Sequence, residues 1–194
     1  EIRALPAMEE MRTLECIGNP AGGDLIGNIV WQGTRLKPLL ERAGLQSAAD
    51  EIVMYAADDY HTAVPKDLLL RDDILLVYAM NGTELPKDHG YPLRISIPGR
   101  YGQKQPKWLT RLEAVRGPHL GYYEQQGWSN EAIIRPNSRI DYPVDYDATP
   151  QGELVVRGIG MAGEAGIESI EVSFDDGATW TPARLVRASS TPPA

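Results

Sequence analysis

The segment Thr13-Leu14-Glu15-Cys16-Ile17-Gly18-Asn19 decides how the rest of this chain is interpreted. It holds the single cysteine among 194 residues and leads directly into a glycine-rich stretch. A lone cysteine is most often a small buried hydrophobic residue, but a thiolate can also act as a nucleophile or bind a soft metal. Because flexible glycines let the backbone approach a ligand closely, both interpretations stay open at this point.

The bulk composition excludes some functions. The net charge of −8 argues against a nucleic-acid partner, since binding to nucleic acid needs a basic face. A single cysteine permits no internal disulfide. No apolar run approaches the roughly 18 residues that a membrane-spanning helix requires, and no signal peptide opens the chain. We therefore expect a soluble piece of a longer protein, whose upstream part carries any targeting or membrane segment.

Hydrophobic periodicity predicts several short strands and two short helices. Extended segments are predicted at residues 10–17, 29–31, 51–57, 74–80, 93–97 and 108–115, with 74–80 as a central strand. Helices are predicted to begin near Leu36, ending at Gly44, and at Pro65. Asn81-Gly82 predicts a type I′ hairpin turn, and Ser129 predicts the cap of a helical turn over 130–134.

A shift in composition predicts two domains. The first covers residues 1–142, a proline- and acid-rich linker covers 143–152, and the second begins at residue 153. We expect a disordered tail at 189–194.

The second domain has the pattern of a β-sandwich. A strand is predicted at 154–157, alternation follows over 170–174, and Asp176-Gly177 makes a turn before a strand that starts at Trp180. Because residues 153–194 are far fewer than the roughly 100 of a whole immunoglobulin-like sandwich, we expect only its start.

The densest group of candidate binding residues lies between residues 89 and 108. In this acidic chain, five basic side chains and three glycines occur there. Arg94 lies within an apolar strand, where an unpaired charge is costly, so it needs an anion or a carboxylate. Arginine forks, ammonium groups and glycine-loop N–H groups suit a phosphate. The alternative is a solvated basic edge with Arg94 paired to a carboxylate such as Asp88.

Two further clusters have both a structural and a functional interpretation. Asp58, Asp59 and His61 are either ligands for a hard or borderline metal or part of a polar loop. Tyr122, Tyr123 and Trp128 either pack at a domain edge or line a pocket. His119 follows Gly-Pro and is expected at the surface.

With these residues in view, the sequence resembles the sulfite-oxidase-type molybdopterin oxidoreductases. The resemblance runs in order along most of the chain. It is carried by Thr-Leu-x-Cys-x-Gly-Asn at 13–19, Asn81-Gly82 with Leu85-Pro86, His-Gly-Tyr-Pro-Leu-Arg at 89–94, Pro98-Gly99 with Lys107-Trp108, and the segments 156–158 and 173–180.

The resemblance implies an α+β fold: a mixed-sheet, sulfite-oxidase-like molybdopterin-binding domain followed by a partial immunoglobulin-like β-sandwich of the dimerisation type. It implies that Cys16 binds molybdenum and is catalytic, and that Tyr122 or Tyr123 corresponds to the family's active-site tyrosine. The residues it assigns to molybdenum-molybdopterin are Cys16, Asn19, His89, Arg94, Gly102, Lys104 and Lys107.

The implied function is oxygen-atom transfer on a small sulfur or nitrogen oxo compound, with a haem protein or membrane redox partner exchanging electrons. The implied full-length protein is bacterial, periplasmic or membrane-associated, and dimerises through its β domain. Pro20 stands where sulfite oxidases carry an arginine that helps to bind the anion, which argues against sulfite as the substrate. The family's N-terminal portion is missing, so we expect the chain alone to bind the cofactor weakly.

Two other functions remain open. One is a non-catalytic scaffold that kept the fold and binds a partner through its β domain. The other is a metal hydrolase that uses Asp58, Asp59 and His61.

Overall fold

The structure is a computed structural model that describes residues 1–144 and 151–186. It is mostly β, with two short α-helices, α1 (Lys37–Arg42) and α2 (Lys66–Leu69). The strands are β1 (Ala7–Glu15), β2 (Ile26–Arg35), β3 (Glu51–Ala56), β4 (His61–Pro65), β5 (Leu75–Met80), β6 (Thr83–Glu84), β7 (Arg94–Ser96), β8 (Leu109–Val115), β9 (Asn137–Tyr142), β10 (Arg157–Met161), β11 (Glu171–Val172) and β12 (Thr181–Pro182). Single 3₁₀ turns cover Ile2–Ala4, Lys87–His89, Gly102–Lys104, Glu124–Gln126 and Gly163–Ala165.

The largest sheet is built around β5. Its order is β1-β2-β5-β6, and β7 also pairs with β5. Every residue of β5 is buried, as its apolar run predicts. Asn81 and Gly82 have φ angles of 49° and 73° and join β5 to β6, which confirms the predicted hairpin.

A second sheet, β4-β3-β8, encloses the core together with the first one. The core cluster contains Ile52 and Met54 from β3, Leu76 from β5, and Leu36 and Leu40 from the α1 region. The α1 helix ends before Gly44, which has a φ of +73°, as predicted.

The described residues correct several predictions. Every strand pairing among them is antiparallel, so the mixed sheet is wrong. Strand β4 was not predicted, because its start was assigned to a polar loop. Residues 130–134 form no helical turn, because Ala132 has a φ of 47° and Ile133 makes a β-bridge to Arg100.

The C-terminal part also differs from its prediction. The predicted strand at 154–157 lies three residues further on, as β10, and it pairs with β9, which the sequence placed in the first domain. Only the short β11–β12 pair follows within residues 162–186, so these residues do not by themselves complete a sandwich. Part of the predicted linker, 145–150, and the predicted tail, 189–194, lie outside the described residues.

No helix within residues 1–144 and 151–186 is long and apolar enough to cross a membrane.

Candidate functional site

Cys16 follows the last residue of β1 and its free thiol is exposed. The backbone turns sharply there: Cys16 N donates to Leu25 O at 3.0 Å, and Asn19 N donates to Cys16 O at 3.0 Å. An exposed thiol on a tight loop contradicts the interpretation of Cys16 as a core residue. It is accessible to a ligand.

The side chain of Asn19 holds this loop in shape. Its Nδ2 donates to Glu15 Oε1 at 3.1 Å, and its Oδ1 accepts from Leu25 N at 3.0 Å. Glu15 is buried, and both of its carboxylate oxygens also accept from Asn137 Nδ2 at 3.1 Å. A cavity of about 170 Å³, partly lined by Pro20, lies between this loop and residues 135–139.

Trp128 is the aromatic side chain that reaches the Cys16 loop. A Cβ atom placed on Gly18 would lie 3.8 Å from Cys16 Sγ and 3.9 Å from Trp128 Cη2. Trp128 therefore lies near the thiol across Gly18. The sequence marked it as part of an aromatic patch but not as a site residue, because Trp128 lies 110 positions after Gly18 in the chain.

Tyr122 and Tyr123, the predicted active-site tyrosines, stand behind Trp128. The centroid of the Tyr123 ring is 6.3 Å from that of Trp128, 5.6 Å from that of Tyr60 and 5.2 Å from that of Tyr122. The four rings form one partly exposed aromatic surface. The pKa of Tyr60 is raised mainly by burial and further by the nearby Glu124 carboxylate. The Tyr60 phenol therefore stays protonated.

Arg94 is buried and has no acidic partner among the residues that the structure describes. Its Nη1 donates to His89 O at 3.1 Å, its Nη2 donates to Gln105 O at 3.2 Å, and Nε has no partner among the described residues. The guanidinium lies 4.8 Å from the ring centroid of Trp31. No carboxylate in residues 1–144 or 151–186 forms an ion pair with it, so the proposed pairing with Asp88 is wrong. Burial lowers the pKa of Arg94 to about 10, and it remains a cation at neutral pH.

Lys104 is also buried, but the protein satisfies its charge. Its Nζ contacts Glu124 Oε1 at 2.7 Å, Thr62 Oγ1 and Ala63 O at 2.9 Å, and Asn130 Oδ1 at 3.1 Å. Burial lowers its pKa, and the hydrogen bond to Glu124 opposes this effect. Since its ammonium group is surrounded by protein oxygens, the predicted contact between Lys104 and a cofactor phosphate does not fit this geometry.

His89 and Lys107 lie at the surface of the same region. The His89 side chain is exposed, and Lys107 Nζ donates to Asp88 O at 2.9 Å and lies 4.3 Å from the ring centroid of Trp108. Both side chains can move toward an anion without breaking an ion pair of the described residues.

Gly102 brings the basic loop, residues 98–107, to the end of β1. A Cβ atom on Gly102 would lie 3.5 Å from Glu15 O and 3.7 Å from Leu14 Cδ1. The structure thus joins the segment before Cys16 to the segment that carries the predicted phosphate ligands.

Asp58, Asp59 and His61 are not arranged as a metal site. His61 Nδ1 lies 3.0 Å from His119 Nε2, Asp58 Oδ1 accepts from Tyr60 N, and Asp59 occupies a turn with a φ of 65°. No group of three or more His, Cys, Asp or Glu residues in the described part of the chain is arranged to hold a metal ion. The described residues therefore do not support the metal-hydrolase hypothesis. His119 was expected at the surface, but it is half-buried against His61.

Residues 1–123 match the family described as the oxidoreductase molybdopterin binding domain. The chain belongs to this family. It is 33% identical over 142 residues to the uncharacterized oxidoreductase YuiH of Bacillus subtilis (strain 168), an alignment that covers 73% of the chain and 70% of that protein. It is 27% identical over 232 residues to the sulfite oxidase of Arabidopsis thaliana, covering 94% of the chain and 59% of that protein. The predicted sulfite-oxidase type is confirmed.

The fold agrees with this membership. The sulfane dehydrogenase SoxCD of Paracoccus pantotrophus superimposes with a TM-score of 0.82 over 97% of the chain and 55% of its own chain, at 24% identity. At that identity the similarity shows the fold alone. The chain spans 59% of the Arabidopsis thaliana sulfite oxidase, 51% of the Gallus gallus protein and 40% of the Drosophila melanogaster protein.

Two residues of the candidate site suit a molybdopterin cofactor. Molybdenum is soft enough to favour a thiolate, and Cys16 offers an exposed sulfur. A phosphate favours guanidinium donors, and Arg94 has a buried charge with only neutral acceptors around it. The described side chains therefore fit both the metal and the anionic end of the cofactor.

Proposed function

We propose that this chain is the cofactor-binding part of a molybdopterin-dependent oxidoreductase. The reaction is transfer of an oxygen atom to or from a small sulfur or nitrogen oxo compound, at a molybdenum bound by Cys16. One observation carries the proposal: the exposed Cys16 follows β1 where the basic loop meets Glu15. The segment that ends at the soft metal ligand and the basic loop that carries Lys107, far apart in sequence, are neighbours in space.

Each side chain has a specific task in this proposal. The Cys16 thiolate binds the metal, and Arg94, His89 and Lys107 hold the pterin and its phosphate. Gly102 lets the loop backbone lie close, and Asn19 fixes the loop that carries Cys16. When bound, the cofactor supplies the two-electron oxygen-atom chemistry, and the protein positions it. Lys104 is left out, because its ammonium group is already bound within the protein.

The surroundings of Cys16 favour a substrate other than sulfite. Pro20 brings no charge to the loop after Asn19, and the side facing Gly18 is formed by the indole of Trp128. An uncharged indole offers apolar contact and brings no counter-charge for a small anion. We therefore favour an S-oxide or N-oxide with an apolar substituent.

The remaining features of the whole protein follow the same resemblance. We propose a bacterial, periplasmic or membrane-associated enzyme that exchanges electrons with a haem protein or a membrane partner. We also propose that the C-terminal part is the start of an immunoglobulin-like domain through which two copies dimerise. Because β9 pairs with β10, we propose that this domain begins at Asn137. The segment 143–152, predicted as a linker between two domains, then connects two strands of the same domain.

The test is to produce the full-length protein in a host that makes the cofactor. We expect molybdenum by elemental analysis, pterin in the extract, and turnover of some member of a panel of sulfite, S-oxides and N-oxides. Folded full-length protein without molybdenum would contradict the proposal and favour the non-catalytic scaffold.

A further inference from the structure

A buried ion pair joins the basic loop to the segment that carries Trp128. Lys104 Nζ and Glu124 Oε1 are 2.7 Å apart, and both side chains are completely buried. Lys104 belongs to the basic loop, whereas Glu124 begins the 3₁₀ turn that follows Tyr122 and Tyr123. The pair therefore connects a predicted cofactor-binding element with a predicted active-site element.

The basic loop also forms hydrogen bonds with the C-terminal end of the segment 124–130. Lys104 Nζ donates to Asn130 Oδ1 at 3.1 Å, and Gln103 Nε2 donates to Ser129 O at 2.7 Å. Gln103 Nε2 also donates to Glu124 Oε1 at 3.2 Å. Residues 124–130 are thus held at both ends by two neighbouring side chains, and Trp128 lies between the two attachments.

Close packing leaves this segment little freedom. A Cβ atom on Gly121 would collide with Glu124 Oε2 and would lie 2.6 Å from His61 O. Trp128 N donates to Tyr123 O at 3.2 Å, and the Trp128 ring ends 3.9 Å from a Cβ position on Gly18. A shift of residues 124–130 would therefore move the indole away from the Cys16 loop.

We propose that Lys104 and Glu124 form a clamp that holds Trp128 beside Cys16, so that Trp128 is the aromatic side chain that contacts a molecule docked at the thiol. Lys104 is then a positioning residue that acts through residues 124–130, and Tyr122 and Tyr123 support Trp128 from behind. The substrate-contact role of Trp128 rests on the proposed function, but the clamp itself does not.

The physical argument is that a buried ion pair stabilises a fold weakly. Removing both charges from water costs about as much as their attraction returns, so an apolar pair of similar size is often as stable. What the ion pair and its hydrogen bonds specify is one arrangement of the two segments. Here that arrangement places an indole near the one cysteine of the chain.

The clamp can be tested by fluorine NMR of the full-length protein labelled with fluorotryptophan. The resonance that disappears in Trp128→Phe belongs to Trp128, and Trp31 in the core serves as an internal reference. We expect the double variant Lys104→Met/Glu124→Leu to shift or broaden the Trp128 resonance and to leave that of Trp31 in place. An unchanged Trp128 resonance in the folded double variant overturns the proposal.

Two milder variants keep the test decisive if the double variant does not fold. Asn130→Ala removes one contact of Lys104 at an exposed residue, and Glu124→Gln keeps the size of the side chain. Both variants should shift the Trp128 resonance. If the resonance stays unchanged in either folded variant, the clamp is contradicted. Lys107→Met is the matched control from the same loop, and it should leave that resonance unchanged, because Lys107 Nζ lies against Asp88 O and the Trp108 ring.

Enzyme kinetics then test the role of Trp128. In the molybdenum-loaded protein, Trp128→Phe should raise KM more than it lowers kcat, and Tyr122→Phe should change neither by as much. The opposite order would overturn the assignment of Trp128 as the contact residue. If the protein contains no molybdenum, the proposed function fails while the NMR result on the clamp still stands.

Discussion

Arg94 and Lys104 are both buried cations within residues 89–108, but their charged groups have different partners in the protein. Lys104 contacts a buried carboxylate and three other oxygens, so its charge is compensated inside the protein. Arg94 contacts two carbonyl oxygens and the face of Trp31, and none of these carries a negative charge.

This difference distinguishes a buried cation with a structural role from one that is available to bind a ligand. A buried cation without a counter-charge is costly, and an anionic ligand can relieve that cost. A cation that already has its carboxylate gains nothing from a second anion. Arg94 is therefore the buried group in this region that a cofactor phosphate would stabilise, whereas Lys104 maintains the shape of the site.

The largest expected effect is on stability. Lys104→Met leaves the Glu124 carboxylate buried and unpaired, which should lower the free energy of unfolding by about 3–5 kcal/mol. Arg94→Met leaves two carbonyl oxygens without a donor but also removes a buried charge that has no counter-charge, so the loss of stability should be smaller, at most about 1–2 kcal/mol. Urea denaturation of the two variants measures this contrast. Equal losses would break the comparison, and Lys104→Met/Glu124→Leu, as the control, should recover most of the stability.

The second prediction concerns cofactor retention. Arg94→Met removes charge-assisted hydrogen bonds to the phosphate, each worth about 1.5–3 kcal/mol, or roughly 10–150-fold in affinity. Lys104→Met/Glu124→Leu removes none, so it should retain the pterin at the native level. Pterin fluorescence after extraction from equal amounts of folded protein measures both. If the double variant lost as much pterin as Arg94→Met, Lys104 would be a direct ligand after all.

A third prediction uses pH. Because burial lowers the pKa of Arg94 from its ordinary value to about 10, unfolded chains bind more protons than folded ones between these two values. The Arg94 contribution to stability should therefore rise with pH above 10, by at most about 1.4 kcal/mol per pH unit. Below pH 10 the guanidinium is charged in both states, and the burial cost is fully present.

Paired unfolding measurements at pH 9 to 11 on the native protein and Arg94→Met isolate this term. The native protein should gain relative to the variant above pH 10. A constant difference across the range would mean that the folded state does not depress the pKa of Arg94.

The smallest effect belongs to an exposed ion pair. Arg71 contacts Asp73 and Glu164, and all three side chains are partly exposed to solvent. Hydrogen bonds that Arg71 donates to the Glu164 and Asp73 carboxylates raise the pKa of Arg71. Glu164→Gln should nevertheless cost only about 0–1 kcal/mol, since water screens the charges. Melting temperatures measure this effect. If Glu164→Gln lowered the melting temperature as much as Lys104→Met, burial would not explain why the two ion pairs differ in their contribution to stability.

Local signals in the sequence predicted much of the fold. The apolar run of β5, the Asn81-Gly82 turn and the end of α1 before Gly44 each depend on neighbouring residues, and the structure confirms all three. The loop after Cys16 also follows from its local glycines, whereas these residues left open whether the thiol is buried or exposed.

Long-range pairing was not predictable in the same way. Strand β9 is mostly polar, so only its partner β10 identifies it as a strand. Ser129 makes the expected capping contact, with its Oγ accepting from Ala132 N at 3.1 Å, but the chain then turns to form a bridge with Arg100.

The candidate site shows the same limit. The sequence grouped Arg94, Lys104 and Lys107 as one basic cluster, because the partner of Lys104 lies 20 residues away at Glu124. Trp128 reaches Gly18 only through the folding of the whole domain. Residue types indicated the chemistry, whereas burial and partners distinguished binding from support.

The most direct test of the account is to count the sulfur ligands of molybdenum. X-ray absorption on the full-length protein and on Cys16→Ala gives that number. The account predicts that the variant keeps the pterin and loses one sulfur ligand and its activity, because Cys16 adds its thiolate to the two dithiolene sulfurs. An unchanged sulfur count in Cys16→Ala would contradict it.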